Sequence, residues 1–190
     1  MRFIGNKTQL LNNIKEVVDK HALEAHSFCD IFSGTASVAR FFKQWYEVYS
    51  NDLLYFSYCL QRATIENPCK PAFELLSQSL GINDPISYFN EMSTECMESL
   101  PVEKRFFQNN YAPTGGRMYI TDSNALRIDF ARNTIEDWNH ASLLSPDEYY
   151  YLVACIVEGV PFVSNIAGTY GAFNKIWEAS SKQQFVLIDM

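Results

Sequence analysis

A chain of 190 residues that is 47% hydrophobic and 15% aromatic holds enough apolar material for one substantial core and is too apolar to be disordered. No run approaches the roughly 20 apolar residues of a membrane span, and the first seven residues lack the apolar stretch of a secretory leader, so the expectation is a soluble, cytoplasmic protein without a membrane partner. The net charge of −7 and the pI near 4.9 argue against a uniformly basic nucleic-acid binder while leaving room for a local basic stripe.

In chain order, residues 7–18 place apolar side chains at Leu10, Leu11, Ile14, Val17 and Val18, the stripe of an amphipathic helix, which makes Phe3-Ile4-Gly5-Asn6-Lys7 its entry loop. His21 and His26 fall in a linker before residues 27–32, a short apolar run that reads as a buried strand. Residues 37–45 then return to helical spacing. Gly34 lies at the strand-to-helix crossing, where a missing side chain permits positive φ and close approach of a ligand. A second strand over 47–50 delivers Asn51-Asp52 to its carboxyl end, and doubly wound sheets place an acidic residue about 20 positions after a glycine turn to bind ribose hydroxyls. On these residues alone the pair suits either a nucleoside-cofactor site or a tight turn with a solvated or capping aspartate.

Residues 52–66 read as a helix, and 68–100 as two or three helical patches broken by Pro71, Gly81, Pro85 and Pro101, with Tyr88, Phe89, Met92 and Met97 packed inward. The aromatic and amide-rich stretch 106–117 reads as a polar loop ending in a turn; its Asn, Tyr and Arg side chains suit phosphates or bases as well. Residues 122–138 form a helix, followed by His140. Ser145-Pro146-Asp147-Glu148 is a helix start with a capping box, opening a buried helix over 149–159. The polar segment 164–175 carries Gly168 and Gly171, suiting either a ligand border or a structural turn with a packed Tyr170, and residues 184–189 begin another strand. Five scattered cysteines without a CxxC pair read as reduced thiols, and the three histidines show no ligand spacing, so no metal is expected. Gly5-Asn6-Lys7-Thr8 lacks the upstream glycine of a phosphate-cradling loop.

Three segments stand in one order: Phe3-Ile4-Gly5-Asn6-Lys7; Asp30-Ile31-Phe32-Ser33-Gly34-Thr35-Ala36 with Asn51-Asp52; and Asn165-Ile166-Ala167-Gly168-Thr169-Tyr170-Gly171-Ala172-Phe173. Together they resemble the front part of Dam-like adenine-specific DNA methyltransferases of the alpha arrangement. The resemblance implies an α/β chain, a partial Rossmann-like methyltransferase fold with a helical insertion, that binds S-adenosyl-L-methionine and methylates a flipped adenine in double-stranded DNA, as in restriction-modification. It divides the chain into cofactor motifs over 1–66, a helical, target-recognition-like insertion over 67–145 and a return to the core over 146–190. It places Phe3, Gly5, Lys7, Phe32, Gly34 and Asp52 at the cofactor, and Asn165, Tyr170, Gly171 and Phe173 at the substrate. The chain departs from the family at Ala36, where a second glycine is common, and the turn is expected to survive.

The Asp-Pro-Pro-Tyr tetrapeptide by which these enzymes hold the adenine amino group is missing; Asn67-Pro68-Cys69-Lys70 and Asp84-Pro85-Ile86-Ser87 lack its second proline and its aromatic. The expected position of the tetrapeptide lies beyond Met190, which leaves the catalytic residues unassigned and implies a front half, inactive alone: a truncated product, a part of a longer chain, or a split subunit that a second polypeptide completes. Two alternatives are a non-catalytic DNA-binding or regulatory remnant and a methyltransferase acting on a substrate other than DNA.

Overall fold

The structure, a computed structural model, describes residues 5–67, 69–167 and 171–190. A 3-10 turn at Thr8–Leu10 leads into α1 (Leu11–His21), so His21 closes a helix and does not stand in a linker. Lys20 lies in its last turn, where a cation meets the negative end of the peptide dipoles. β1 (Ser27–Asp30), α2 (Ser37–Phe42) and β2 (Glu47–Ser50) then form a βαβ unit, the strands pairing in parallel with Ser27 opposite Glu47 and Asp30 opposite Ser50. Side chains alternate across the sheet. Phe28 and Val48 are half-buried on the side that carries α2, where the Phe28 ring stacks on Phe42 at 4.1 Å between centroids. Cys29 and Tyr49 point to the other face and are exposed.

The rest is helical. α3 (Tyr55–Gln61) widens into a π turn at Arg62–Glu66. The two or three patches expected between 68 and 100 are three helices, α4 (Glu74–Leu80), α5 (Pro85–Glu91) and α6 (Thr94–Met97). Of the four side chains expected inward there, Phe89 and Met97 are buried, while Tyr88 and Met92 pack against the core from its margin. The stretch expected as a polar loop is instead α7 (Phe106–Tyr111) followed by a 3-10 turn at Pro113–Gly115. Its helix start depends on a residue far ahead in sequence: the buried Asp129 carboxylate accepts the N–H groups of Phe107 at 2.8 Å and Gln108 at 2.9 Å, satisfying donors that a local cap would otherwise take.

α8 (Asp122–His140) contains Asp129, and His140 is its final residue. α9 (Pro146–Val163) opens with the expected capping box, in which the Ser145 hydroxyl accepts from Glu148 N–H and the Glu148 carboxylate accepts from Ser145 N–H. It runs four residues past the expected end at Gly159, through Pro161.

Residues 184–189 form no strand, although Phe185 and Leu187 alternate inward as a strand would. Their backbone is paired by side-chain amides. Asn124 accepts Phe185 N–H at 2.8 Å, and Asn90 both accepts Leu187 N–H at 2.8 Å and donates to Leu187 C=O at 3.0 Å. The buried Arg127 guanidinium adds bonds to the carbonyls of Phe185, Phe89, Asn90 and Met92, joining this segment to the end of α5, whose carbonyls lack intrahelical partners. Gly159 makes room for the crossing, since a Cβ there would stand 2.3 Å from the Val186 carbonyl oxygen.

One buried cluster draws on Leu60 and Ala63, on Phe73, Ile128 and Trp138, and on Leu152, Cys155 and Phe185. The described residues are thus mixed α/β, mostly helical, with one small parallel sheet. No helix among them is long and apolar enough to cross a membrane.

Candidate cofactor and substrate site

The turn after β1 is held from the turn after β2. Ser33 N–H donates to Asn51 C=O at 3.0 Å, the Asn51 amide donates back to Ile31 C=O at 3.0 Å, and the Asp52 carboxylate accepts Gly34 N–H at 2.8 Å and Leu54 N–H at 2.9 Å. Gly34 takes the left-handed φ of 51° that its sequence position anticipated. Ala36, where the resemblance leads one to expect a second glycine, is also left-handed at φ 57° and is fully buried, a conformation that costs a non-glycine residue about 1–2 kcal/mol.

Behind the turn lies a polar residue to which the sequence assigned no role. Gln61, buried on α3, donates to the Ser33 hydroxyl at 2.7 Å and to the Ser57 hydroxyl at 3.0 Å, and accepts from the Ser50 hydroxyl at 3.2 Å. It ties both strand ends to α3. Its signal in the sequence is weak: an amide four residues beyond a serine on an otherwise apolar helix face.

In front of the turn opens a cleft of about 540 Å³ lined by Gly5, Asn6 and Lys7 from the entry loop, Asp30 and Phe32 to Thr35 from the turn, and Ile14, Ser37 and Val38 from the flanking helices. It brings together four of the six residues expected at a cofactor: Gly5, Lys7, Phe32 and Gly34. Phe32 is 87% exposed, and among the described residues, chain neighbours aside, no atom stands within 4 Å of a Cβ built on Gly5 or on Gly34. Asp52 reaches the cleft through its bond to Gly34 and itself borders a neighbouring hollow of about 430 Å³ with Tyr49, Asn51 and Arg62. Phe3 lies outside the described residues.

Asp30 belongs to this cleft as well, on the inward face of β1 beside Phe28. Its Oδ2 is buried without a hydrogen-bond partner among the described residues. Burial holds its carboxyl above the usual range, the Ala39 N–H in the first turn of α2 draws it down, and the nearby Asp52 charge raises it again. A carboxylate wanting a donor, a lysine, an exposed aromatic ring and open glycine backbone suit the ammonium, carboxylate and apolar parts of an amino-acid-bearing nucleoside. The donor set therefore fits S-adenosylmethionine.

The second expected group lies on the loop after α9. Asn165 is fully buried, donating to Met118 C=O at 3.0 Å and Asn174 C=O at 2.9 Å and accepting Glu178 N–H at 3.2 Å, so its amide pins the loop and has no exposed surface to offer a base. An antiparallel bridge pairs Ile166 with Phe173, whose half-buried ring meets Tyr119 edge-on at 5.0 Å, and Gly171 is exposed. Tyr170 lies outside the described residues. A separate apolar hollow of about 460 Å³ between α3, α8 and α9 shares no residue with the cleft.

The family model of the D12 class N6 adenine-specific DNA methyltransferases matches residues 3–189. This chain belongs to that family. Modification methylase StsI of Streptococcus sanguinis is 44% identical over 190 residues, covering all of this chain and 28% of that protein. Type II methyltransferase M.FokI of Planomicrobium okeanokoites is 47% identical over 182 residues, or 94% of this chain and 27% of its own. Type II methyltransferase M.NlaIII of Neisseria lactamica is 34% identical over 184 residues, 92% of this chain and 49% of its own. This D12-family chain thus spans less than a third of the first two relatives and about half of the third. No solved structure matches it.

Proposed function

We propose that this D12-family chain is the cofactor-holding part of a site-specific DNA methyltransferase that transfers a methyl group from S-adenosylmethionine to the amino nitrogen of adenine. The observation that carries this reading is the cleft at the carboxyl end of β1, lined by Lys7, the buried Asp30 oxygen and Gly34, which Asp52 latches from the turn after the parallel β2. In this reading Asp30 receives the ammonium of the methionine moiety, Lys7 its carboxylate, and Phe32 flanks the nucleoside. Asp52 receives ribose hydroxyls on the lone pairs its two backbone bonds leave free. Bound there, S-adenosylmethionine supplies a methyl group activated by its sulfonium.

The loop from Asn165 to Phe173 borders the target base, with Asn165 setting its shape and Gly171 and Phe173 offering its surface. Adenine transfer needs the base out of the stack, acceptors for its amino group and an aromatic platform. The Asp-Pro-Pro-Tyr that serves this purpose in the family is not among these residues, so the reading has it supplied from outside them, by further chain or by a second polypeptide.

Titration calorimetry of the chain with S-adenosylmethionine tests the cofactor half of the proposal. One-to-one binding is expected, weakened at least tenfold by Lys7→Ala. Binding that ignores Lys7→Ala, or no binding with and without a segment supplying Asp-Pro-Pro-Tyr, would falsify the assignment of the cleft.

A further inference from the structure

Helix α7 and the turn after it build a second cleft, on the far side of Tyr119 from the glycine-rich loop. Its volume is about 290 Å³, and its lining is Phe106, Asn110, Tyr111, Arg117 and Tyr119. Phe106 is 50% exposed and Tyr111 37% exposed, their rings tilted to one another at 5.9 Å. Two glycines bring Arg117 back beside the helix: Gly116 takes φ 72°, and Gly115 sits where a Cβ would stand 2.1 Å from the Asn109 carbonyl oxygen. One guanidinium N–H then donates to Asn110 C=O at 2.9 Å, which orients the group across the mouth of the cleft. The segment 104–121 carries Lys104, Arg105 and Arg117 and no carboxylate, in a chain of net charge −7.

The cleft is also tied to the expected substrate loop. Tyr119 C=O accepts Asn165 N–H at 2.8 Å, and the Tyr119 ring lies between Tyr111 and Phe173, 5.9 Å and 5.0 Å away. Exposed aromatic faces bind bases by stacking, and an arginine fork and an asparagine amide are the groups that read guanine and adenine edges.

We propose that this cleft is a base-reading site for DNA, with Phe106 and Tyr111 as the stacking surface and Arg117 facing the edge of the base beside Asn110, whose Nδ2 donates to Phe106 C=O at 2.8 Å and leaves its Oδ1 and second N–H for the base. The inference rests on the proposed action on DNA.

Fluorescence anisotropy of a labelled duplex carrying adenine and guanine sites, titrated with the chain and its variants, tests it. Arg117→Ala and Phe106→Ala are each expected to weaken binding about tenfold, the order of one lost base contact or stack. Arg117→Lys is expected to recover little, because an ammonium lacks the two-pronged geometry. Lys20→Ala, on α1, serves as the surface control and is expected to bind like the parent. S-adenosylmethionine binding by the same variants should stay at the parental level, which reports that they are folded. If the parent binds DNA and Arg117→Ala and Phe106→Ala bind equally well, the cleft is wrong and the action on DNA stands. Full recovery by Arg117→Lys makes the contact one to phosphate and overturns base reading. A parent chain that takes up the cofactor and binds no duplex overturns both.

Discussion

Asp52 shows how one side chain can be expected for one task and be found engaged in another. The sequence suggests an acid for ribose; the structure shows a carboxylate that also holds Gly34 and Leu54 by their N–H groups, bonds to charge worth about 1.5–3 kcal/mol each. Asp52→Ala should therefore lower both cofactor affinity and melting temperature. Asp52→Asn keeps one acceptor and turns its amide N–H toward the other backbone donor, so it should cost about 1.5–3 kcal/mol, less than Asp52→Ala, and lose at least tenfold in affinity. Calorimetry beside thermal unfolding checks this, and an Asp52→Asn chain with parental affinity removes Asp52 from the cofactor.

Asp30 adds a pH dependence. Its folded pKa is raised above the ordinary value of 3.8, so the folded chain favours the protonated acid. The stability this contributes is complete below 3.8 and is lost as pH rises through the raised value. The ionised form that a ligand ammonium needs appears over the same window, so cofactor affinity should climb there while unliganded stability falls. Asp30→Asn should flatten both curves; a pH-affinity profile unchanged in that variant excludes Asp30 from the ligand.

Among the elements, α9 and the C-terminal segment depend on each other through Gly159. In Gly159→Ala the added methyl meets the Val186 carbonyl at 2.3 Å and the Phe185 ring at 2.8 Å. Helix propensity alone favours alanine by about 1 kcal/mol, yet overpacking of a closed contact costs about 1–3 kcal/mol. The segment is therefore expected to lift, and hydrogen exchange at the Phe185 and Leu187 amides should quicken even if α9 itself holds. Unchanged protection would show that the crossing has slack.

Helix α7 makes a related point. Nothing between Phe106 and Tyr111 caps a helix locally, and the cap arrives from Asp129 on α8. Where a cap was local, as at Ser145 and Glu148, the helix start was legible in the sequence.

For the molecule as a whole, the two-stranded parallel sheet is the notable feature. Parallel sheets are ordinarily covered on both faces, and here one face carries α2 while Cys29 and Tyr49 stand exposed on the other. With no Asp-Pro-Pro-Tyr in the 190 residues, the chain alone is expected to transfer no methyl group to adenine-containing duplex DNA. Adding a polypeptide that carries the motif should restore transfer, measured with tritiated methyl groups. Robust transfer by the chain alone would overturn the expectation and call for a different catalytic group.

The sequence by itself determined the elements whose signals are local. These include the βαβ unit around Gly34, the capping box at Ser145, the amphipathic face of α1 and the three ordered segments that carry the family. Periodicity, turn chemistry and capping act within a few residues, so they survive in a linear reading. The tertiary structure alone decided the rest: Asp129 makes a helix of an expected loop, Asn90 and Asn124 pair with a segment that reads as a strand, and Asn165 pins its loop from inside. In each case a side chain distant in sequence satisfies a backbone group that must not be buried unpaired, and which side chain arrives there depends on how the helices pack.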